Sequence, residues 1–320
     1  MALPIPTARL YRTLLKPRKH RSSGFTLLEL LISMLVAGVI VSGLLYAVVE
    51  LLQIDRRESV LDQTQRDMQR ALDYISDDIK EAVYLYDDPS TVTTQLTDLP
   101  AGTPILAFWR PDVIDSNLPD CSAWAAGTTT FDQCEVLKIR QSAYSLVVYL
   151  QRERDTNANW SGESRIIRYE LDKYSDLSNL VITTGYQDPA SSEVDFATWT
   201  RDGTTTNGSS AVLVDFVDGP STAYDKSPLS DSCNSLGAEY TIIPSTATTT
   251  SNTSFFGCVR DPDPTVAGTA GNANQDAYLF LRGSIDGAGG ALNVYGTNSS
   301  LPTLETRVLM RGVVDKNPVN

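Results

Sequence analysis

Glu29 stands at the entrance of a long apolar run, and the chemistry open to it is ion pairing. Residues 24–29 read Gly-Phe-Thr-Leu-Leu-Glu, and residues 30–49 behind them hold no charge and no proline. A run of that length crosses the ~30 Å hydrocarbon core of a bilayer. A carboxylate beside hydrocarbon is costly unless a cation meets it. Glu29 therefore calls for a partner such as an ammonium, which a plain membrane anchor does not supply.

The remaining reactive residues offer little to catalysis. The only histidine is His20, upstream of the apolar run. Everything downstream lacks the means for a Ser-His-Asp triad, a Cys-His pair or a His-based metal site. Carboxylate pairs such as Asp77-Asp78, Asp87-Asp88 and Asp261-Pro-Asp263 leave a two-carboxylate glycosidase open on composition. They sit in helix-end and turn sequence, where acids are ordinary. No Gly-rich phosphate loop occurs. The chain reads as a non-enzyme that needs no cofactor.

Asp155, Asn157 and Asn159 place oxygens at every second residue, as a calcium loop does. Trp160 stands where an EF-hand has glycine, however, and Ile166 where it has its bidentate glutamate. The segment reads as a hairpin loop without metal. Cys121, Cys134, Cys233 and Cys258 all follow the apolar run. An even count in an exported domain indicates disulfides, and three pairings are open. Sequence neighbours, 121–134 and 233–258, are preferred because each closes a local loop rich in Gly, Ser and Thr. Each bridge is worth ~3 kcal/mol on the loop-entropy model. No Cys-x-x-Cys and no nearby histidine favour zinc.

These groups need elements to position them. Arg9, Arg12, Lys16, Arg18, Lys19 and Arg21 precede Gly24 with no acid among them. Positive flanks stay cytoplasmic, so the N-terminus faces inward and the rest outward. A secretory signal peptide fits less well. Its apolar region is shorter and ends in a small-x-small site, whereas this run ends Tyr46-Ala-Val-Val-Glu50. Beyond it, Ile54, Leu61, Met68, Ile75 and Ala82 recur every seventh residue, with Leu72, Ile79 and Tyr86 completing a stripe. Polar residues fill the other face, which predicts an amphipathic helix continuing to Asp87-Asp88-Pro89. A long coiled coil is disfavoured because the heptads are too few.

From residue 90 onward, β-type runs appear at 105–109, 135–139, 144–151, 165–171, 211–217, 278–282 and 307–314. The runs at 144–151 and 165–171 flank a turn-rich segment and predict a hairpin. Long polar loops separate the others, which marks functional or mobile surface. The predicted class is α+β: a long N-terminal helix, transmembrane in its first half, packed on an antiparallel β-sheet head with long loops. The head is large enough for its own core. The formal charge is −13 and becomes −19 if residues 1–24, with their six basic side chains, are removed. An acidic head does not invite nucleic acid.

Gly24-Phe25-Thr26-Leu27-Leu28-Glu29, behind a basic leader and before an apolar run, resembles the signal of type IV prepilins and type II secretion pseudopilins. The resemblance implies that a prepilin peptidase cuts between Gly24 and Phe25 and methylates Phe25. It also implies that Glu29 meets the N-terminal amine of a neighbouring subunit. The domains are then a leader at 1–24, a transmembrane half-helix at 25–53, an amphipathic half-helix at 54–88 and a periplasmic or extracellular head at 89–320. The implied partners are the peptidase, other pilins or pseudopilins and an inner-membrane assembly platform. The implied location is the bacterial inner membrane, spanned once, and then the filament.

Residues 71–83, through Tyr74, Asp78-Ile79 and Lys80, resemble the end of the stalk helix in minor pilins of the PilW and PulJ kind. The large head and residues 74–86 resemble cyanobacterial pseudopilins tied to hormogonium polysaccharide secretion and gliding. The alternatives are a J-type minor pseudopilin of type II protein secretion and an adhesin or glycan-binding module on a pilin stalk.

Overall fold

A computed structural model describes residues 24–114, 118–155, 159–191, 195–219, 231–245, 254–260, 275–285 and 301–310. The chain divides into two compact units, one ending at Asp55 and the other beginning at Arg56. A single helix, α1 (Leu27–Lys80), runs through both. In the first unit its large apolar side chains are exposed all round, Met34 at 80% and Leu27 at 89%. It is the one helix among the described residues long and apolar enough to cross a membrane.

In the second unit, α1 buries Met68, Ala71, Leu72, Ile75 and Ile79. Their spacing of three and four residues lines one face of a 3.6-residue helix. The burial is shallower at the start than the heptad row implied. Ile54 remains 49% exposed, and the covered stripe opens only at Thr64. Each fully buried isoleucine contributes about 1.5–3 kcal/mol relative to exposure.

The helix ends at Lys80 and not at Asp87-Asp88-Pro89. Tyr84–Leu85 instead form strand β1, paired antiparallel with Trp109 and Phe108. The Val83 amide donates to the Trp109 carbonyl at 2.8 Å, and the Tyr86 amide to the Ala107 carbonyl at 2.9 Å. Val83, Tyr84 and Tyr86 suit a strand, and pairing with a buried neighbour outweighs one more helical turn. Tyr86, expected on the helical stripe, packs in a different cluster of the head.

After a short helix α2 (Ser90–Thr93) come β2 (Thr103–Val113), helix α3 (Thr129–Arg140), β3 (Ser142–Glu153) and β4 (Ser164–Leu171). They are followed by β5 (Tyr174–Asp176), β6 (Val181–Ile182) and β7 (Ser209–Val217). A short helix α4 (Asp231–Leu236), β8 (Tyr240–Ile243), β9 (Phe255–Arg260), β10 (Asp276–Leu281) and β11 (Leu304–Leu309) complete the order. A five-stranded sheet runs β1-β2-β3-β4-β7, a four-stranded sheet β11-β10-β9-β8, and β5 pairs with β6. All these pairings are antiparallel, including the expected β3–β4 hairpin.

The five-stranded sheet is covered on both faces. Val147 and Tyr149 join α1 and the four-stranded sheet in one cluster, while Leu146, Val148 and Leu150 join Trp109, Tyr186 and Trp199 in another. That double burial explains why β3 is an unbroken apolar run and not an alternating one. Gly283 permits close packing beneath the helix, since a Cβ there would lie 2.8 Å from Met68 Cγ.

One predicted strand is a helix. Residues 135–139 lie within α3. Thr128 caps its start by accepting the Phe131 amide, and Gln141 ends it in a left-handed conformation at φ 49°. Those end signals decide the matter, because a five-residue apolar run carries no period of its own. Strands β8 and β9 were not foreseen; both are short and flanked by polar sequence.

Candidate processing and assembly site

Among the described residues of the first unit, Gly24, Phe25 and Thr26 stand ahead of the first helical residue. Thr26 is the N-cap of α1. Its hydroxyl oxygen accepts the Glu29 amide at 3.2 Å, and its carbonyl accepts the Glu29 and Leu30 amides at 3.0 and 3.2 Å. Thr-x-x-Glu is the signature of a capping box, a role for Thr26 that the sequence reading overlooked although its letters were present. The cap ties down the first turn and sets Glu29 at the positive end of the helix dipole.

Gly24, Phe25 and Glu29 are all exposed, with Phe25 at 75%. A Cβ built on Gly24 would meet nothing within 4 Å. Among the described residues, none crowds Gly24 on the side where a Cβ would stand. Among the described residues, no side chain forms an ion pair or a hydrogen bond with the Glu29 carboxylate. Ser33 and Ser42 spend their hydroxyls on the helix itself, donating to the Glu29 and Gly38 carbonyls at 2.7 Å. This surface can insert into lipid or bundle with other helices, but water is a poor solvent for it.

Residues 19–45 match the family model of the prokaryotic N-terminal methylation motif. The chain carries a type IV pilin-like prepilin signal. No curated protein and no solved structure matches the chain. The layout agrees with that signal: a long apolar N-terminal helix followed by an antiparallel β-sheet head.

The head holds its part of α1 through a buried ionic cluster. Asp78 is its centre, with a side chain only 5% exposed. Its Oδ1 accepts Arg110 Nη1 at 2.6 Å. Its Oδ2 accepts Arg168 Nε at 2.8 Å and the Tyr149 hydroxyl at 2.5 Å. Glu170 completes the cluster, accepting both Arg168 Nη groups at 2.6 and 2.9 Å and Arg110 Nη2 at 3.0 Å. Burial pushes the Tyr149 phenol up, and the neighbouring Asp78 pushes it further. Burial also works to raise the Glu170 carboxyl, but Arg168 and Arg110 outweigh it and hold that carboxyl below its usual range. Among the described residues, Arg110 Nε is buried without a hydrogen-bond partner, but the six bonds to Asp78 and Glu170 tie the helix to strands β2, β3 and β4 in one rotation. The sequence named Asp78 as half of an acidic pair and as part of the Asp78-Ile79 resemblance, and neither pointed to its arginine partners 32 and 90 residues away.

Disulfides join Cys121 to Cys134 and Cys233 to Cys258. The first ties a turn at Cys121–Ala123 to α3, and the second ties α4 to β9. Of the calcium set, Asn157 lies outside the described residues. The Asp155 carboxylate already holds two guanidinium groups, Arg152 at 2.7 Å and Arg165 at 3.0 Å. Both contacts fall on Oδ2, so this oxygen of Asp155 serves as a structural anion.

Proposed function

We propose that this protein is a structural minor pilin or pseudopilin, and not an enzyme. A prepilin peptidase cuts between Gly24 and Phe25 and methylates the new Phe25 amine. Glu29 then receives the amine of an adjacent subunit, and the apolar half-helices bundle as the subunit leaves the inner membrane. A carboxylate in hydrocarbon is tolerable when an ammonium faces it, so subunit addition supplies the partner that Glu29 has not met among the described residues. The N-terminus stays cytoplasmic until cleavage and the head is periplasmic, in keeping with the basic leader. The partners are the peptidase, other pilins or pseudopilins and an inner-membrane assembly platform driven by a separate ATPase.

The observation that carries this reading is a coincidence at one place. The methylation motif falls on a helix start that is capped, exposed and apolar all round, with Glu29 unpaired among the described residues. The large head supports a minor subunit over a major one, because bulk is easier to place at a filament tip than at every lattice position. Its size and the sequence at 74–86 support service in polysaccharide secretion and gliding motility.

Mass spectrometry of the protein from its own cell tests the reading. The expected N-terminal residue is N-methyl-Phe25; a filament subunit that retains Met1 overturns the proposal. Glu29→Leu is expected to insert into the membrane normally and to enter filaments poorly. Undiminished incorporation would count against the amine-pairing role.

A further inference from the structure

A cleft of about 600 Å³ opens on the head between α3, the start of β3 and the residues around β5. That volume suits a small ligand of a few rings and not a folded domain. It lies wholly within the unit that begins at Arg56.

Its two sides differ in chemistry. One side is aromatic. Tyr144 and Phe196 meet edge to face at 5.3 Å; Tyr174, packed against the cluster that holds Cys134 and Leu137, also lines the cleft, with Lys173 Nζ 5.5 Å from its ring centroid. The other side is one face of α3, where helical spacing brings Asp132, Gln133 and Arg140 together. Among the described residues, none of these three side chains has a hydrogen-bond or ion-pair partner. They are planar amide, carboxylate and guanidinium groups, each able to engage two neighbouring oxygens.

Charge narrows the ligand class. The lining holds two acids, Asp132 and Asp188, and two bases, Arg140 and Lys173. Lys173 and Asp188 satisfy each other at 2.7 Å. The cleft therefore has no excess charge with which to select a phosphate or a polyanion. A hydroxyl-rich neutral ligand with apolar C–H faces matches both sides. The polar side is also rigid. Cys134 of α3 is bridged to Cys121, Thr128 caps the first turn, and the Ile114 amide donates to the Gln141 carbonyl at 2.8 Å just past the last. A pre-formed side spares the ordering cost of binding.

We propose that this cleft binds a neutral oligosaccharide, with sugar rings against Tyr144 and Tyr174 and hydroxyls on Asp132, Gln133 and Arg140. The proposal stands apart from the processing reading, since a head can hold sugar whether or not Phe25 is methylated.

The test uses the full chain in a polyoxyethylene detergent, which has no sugar headgroup to compete. Maltotriose, cellotriose and chitotriose are the probes, followed by saturation-transfer NMR and calorimetry. At least one is expected to bind with Kd between about 10 μM and 1 mM. Asp132→Ala is expected to weaken it about ten-fold, or about 1.4 kcal/mol. Val136→Trp, at an exposed rim position, is expected to abolish binding by filling the cleft. Both variants change surface residues, so an unaltered thermal melt serves as the folding control. No transfer from any of the three sugars at about 10 mM overturns the proposal. So does sugar binding that both variants leave unchanged, or saturable binding of a polyproline decapeptide in place of the sugars.

Discussion

Glu29 and Asp78 are two carboxylates on one helix, and they live in opposite circumstances. Asp78 is buried, and Arg110, Arg168 and Tyr149 of the same chain satisfy it. Glu29 is exposed and has no such partner among the described residues. The helix surfaces around them differ in the same way. Near Asp78, Ile75 and Ile79 are fully covered by the head. Near Glu29, every large apolar side chain is uncovered. Backbone hydrogen bonding is alike in both stretches, so apolar character alone does not decide burial. What decides it is whether this chain supplies the cover. The head covers its own stretch, whereas the first stretch needs lipid or neighbouring helices.

The sharpest way to break that contrast is to act on one stretch and look for effects in the other. Gly24→Leu is expected to abolish cleavage, read by N-terminal mass spectrometry, with the head's melting temperature unchanged. A shifted melt would mean that the two stretches are not independent.

Asp78→Ala leaves two guanidinium groups facing a gap. It is expected to destabilise the head by about 3–5 kcal/mol in chemical denaturation. Glu29→Ala in the same assay is expected to do nothing measurable. Ile75→Ala is expected to cost about 2–5 kcal/mol through lost contacts and a residual cavity. Ile40→Ala, 56% exposed in the wild type, is expected to stay within about 0.5 kcal/mol for the head.

The smallest effect is on pH dependence. Arg168 and Arg110 lower the Glu170 pKa in the folded state against the opposing pull of burial. A lowered folded pKa means stability that is fully present above the unfolded value of about 4.3 and lost as pH falls through the lower folded value. Glu170→Gln is therefore expected to flatten the acid limb of a melting-temperature profile below about pH 4. An acid limb as steep as that of the wild type would remove Glu170 as its source.

The elements that were legible in the sequence are those whose signal is local and long. The apolar run from residue 30, the basic leader and the Gly24-Phe25 to Glu29 spacing identify the signal and the helix that carries it. The runs at 105–109, 144–151, 165–171 and 211–217 lie within strands β2, β3, β4 and β7. The errors fall where the local signal was short. Residues 135–139 look equally good as strand or helix until Thr128 and Gln141 end the segment. The stretch after Lys80 keeps a helical pattern, yet Val83 and Tyr86 find partners on β2.

By itself, then, the chain's letters determined a hydrocarbon-length segment and its signal. These depend on transfer energies and on residues adjacent in sequence. Tertiary structure alone decided where α1 stops, which carboxylate is buried and which residues join α3 in lining the cleft. The reason is distance along the chain. Asp78 meets Arg168 from 90 residues away, and Tyr174 reaches the Cys134 and Leu137 cluster of α3 only after two strands have folded. No periodicity encodes such meetings, since they are set by strand register and by the packing of one layer on another.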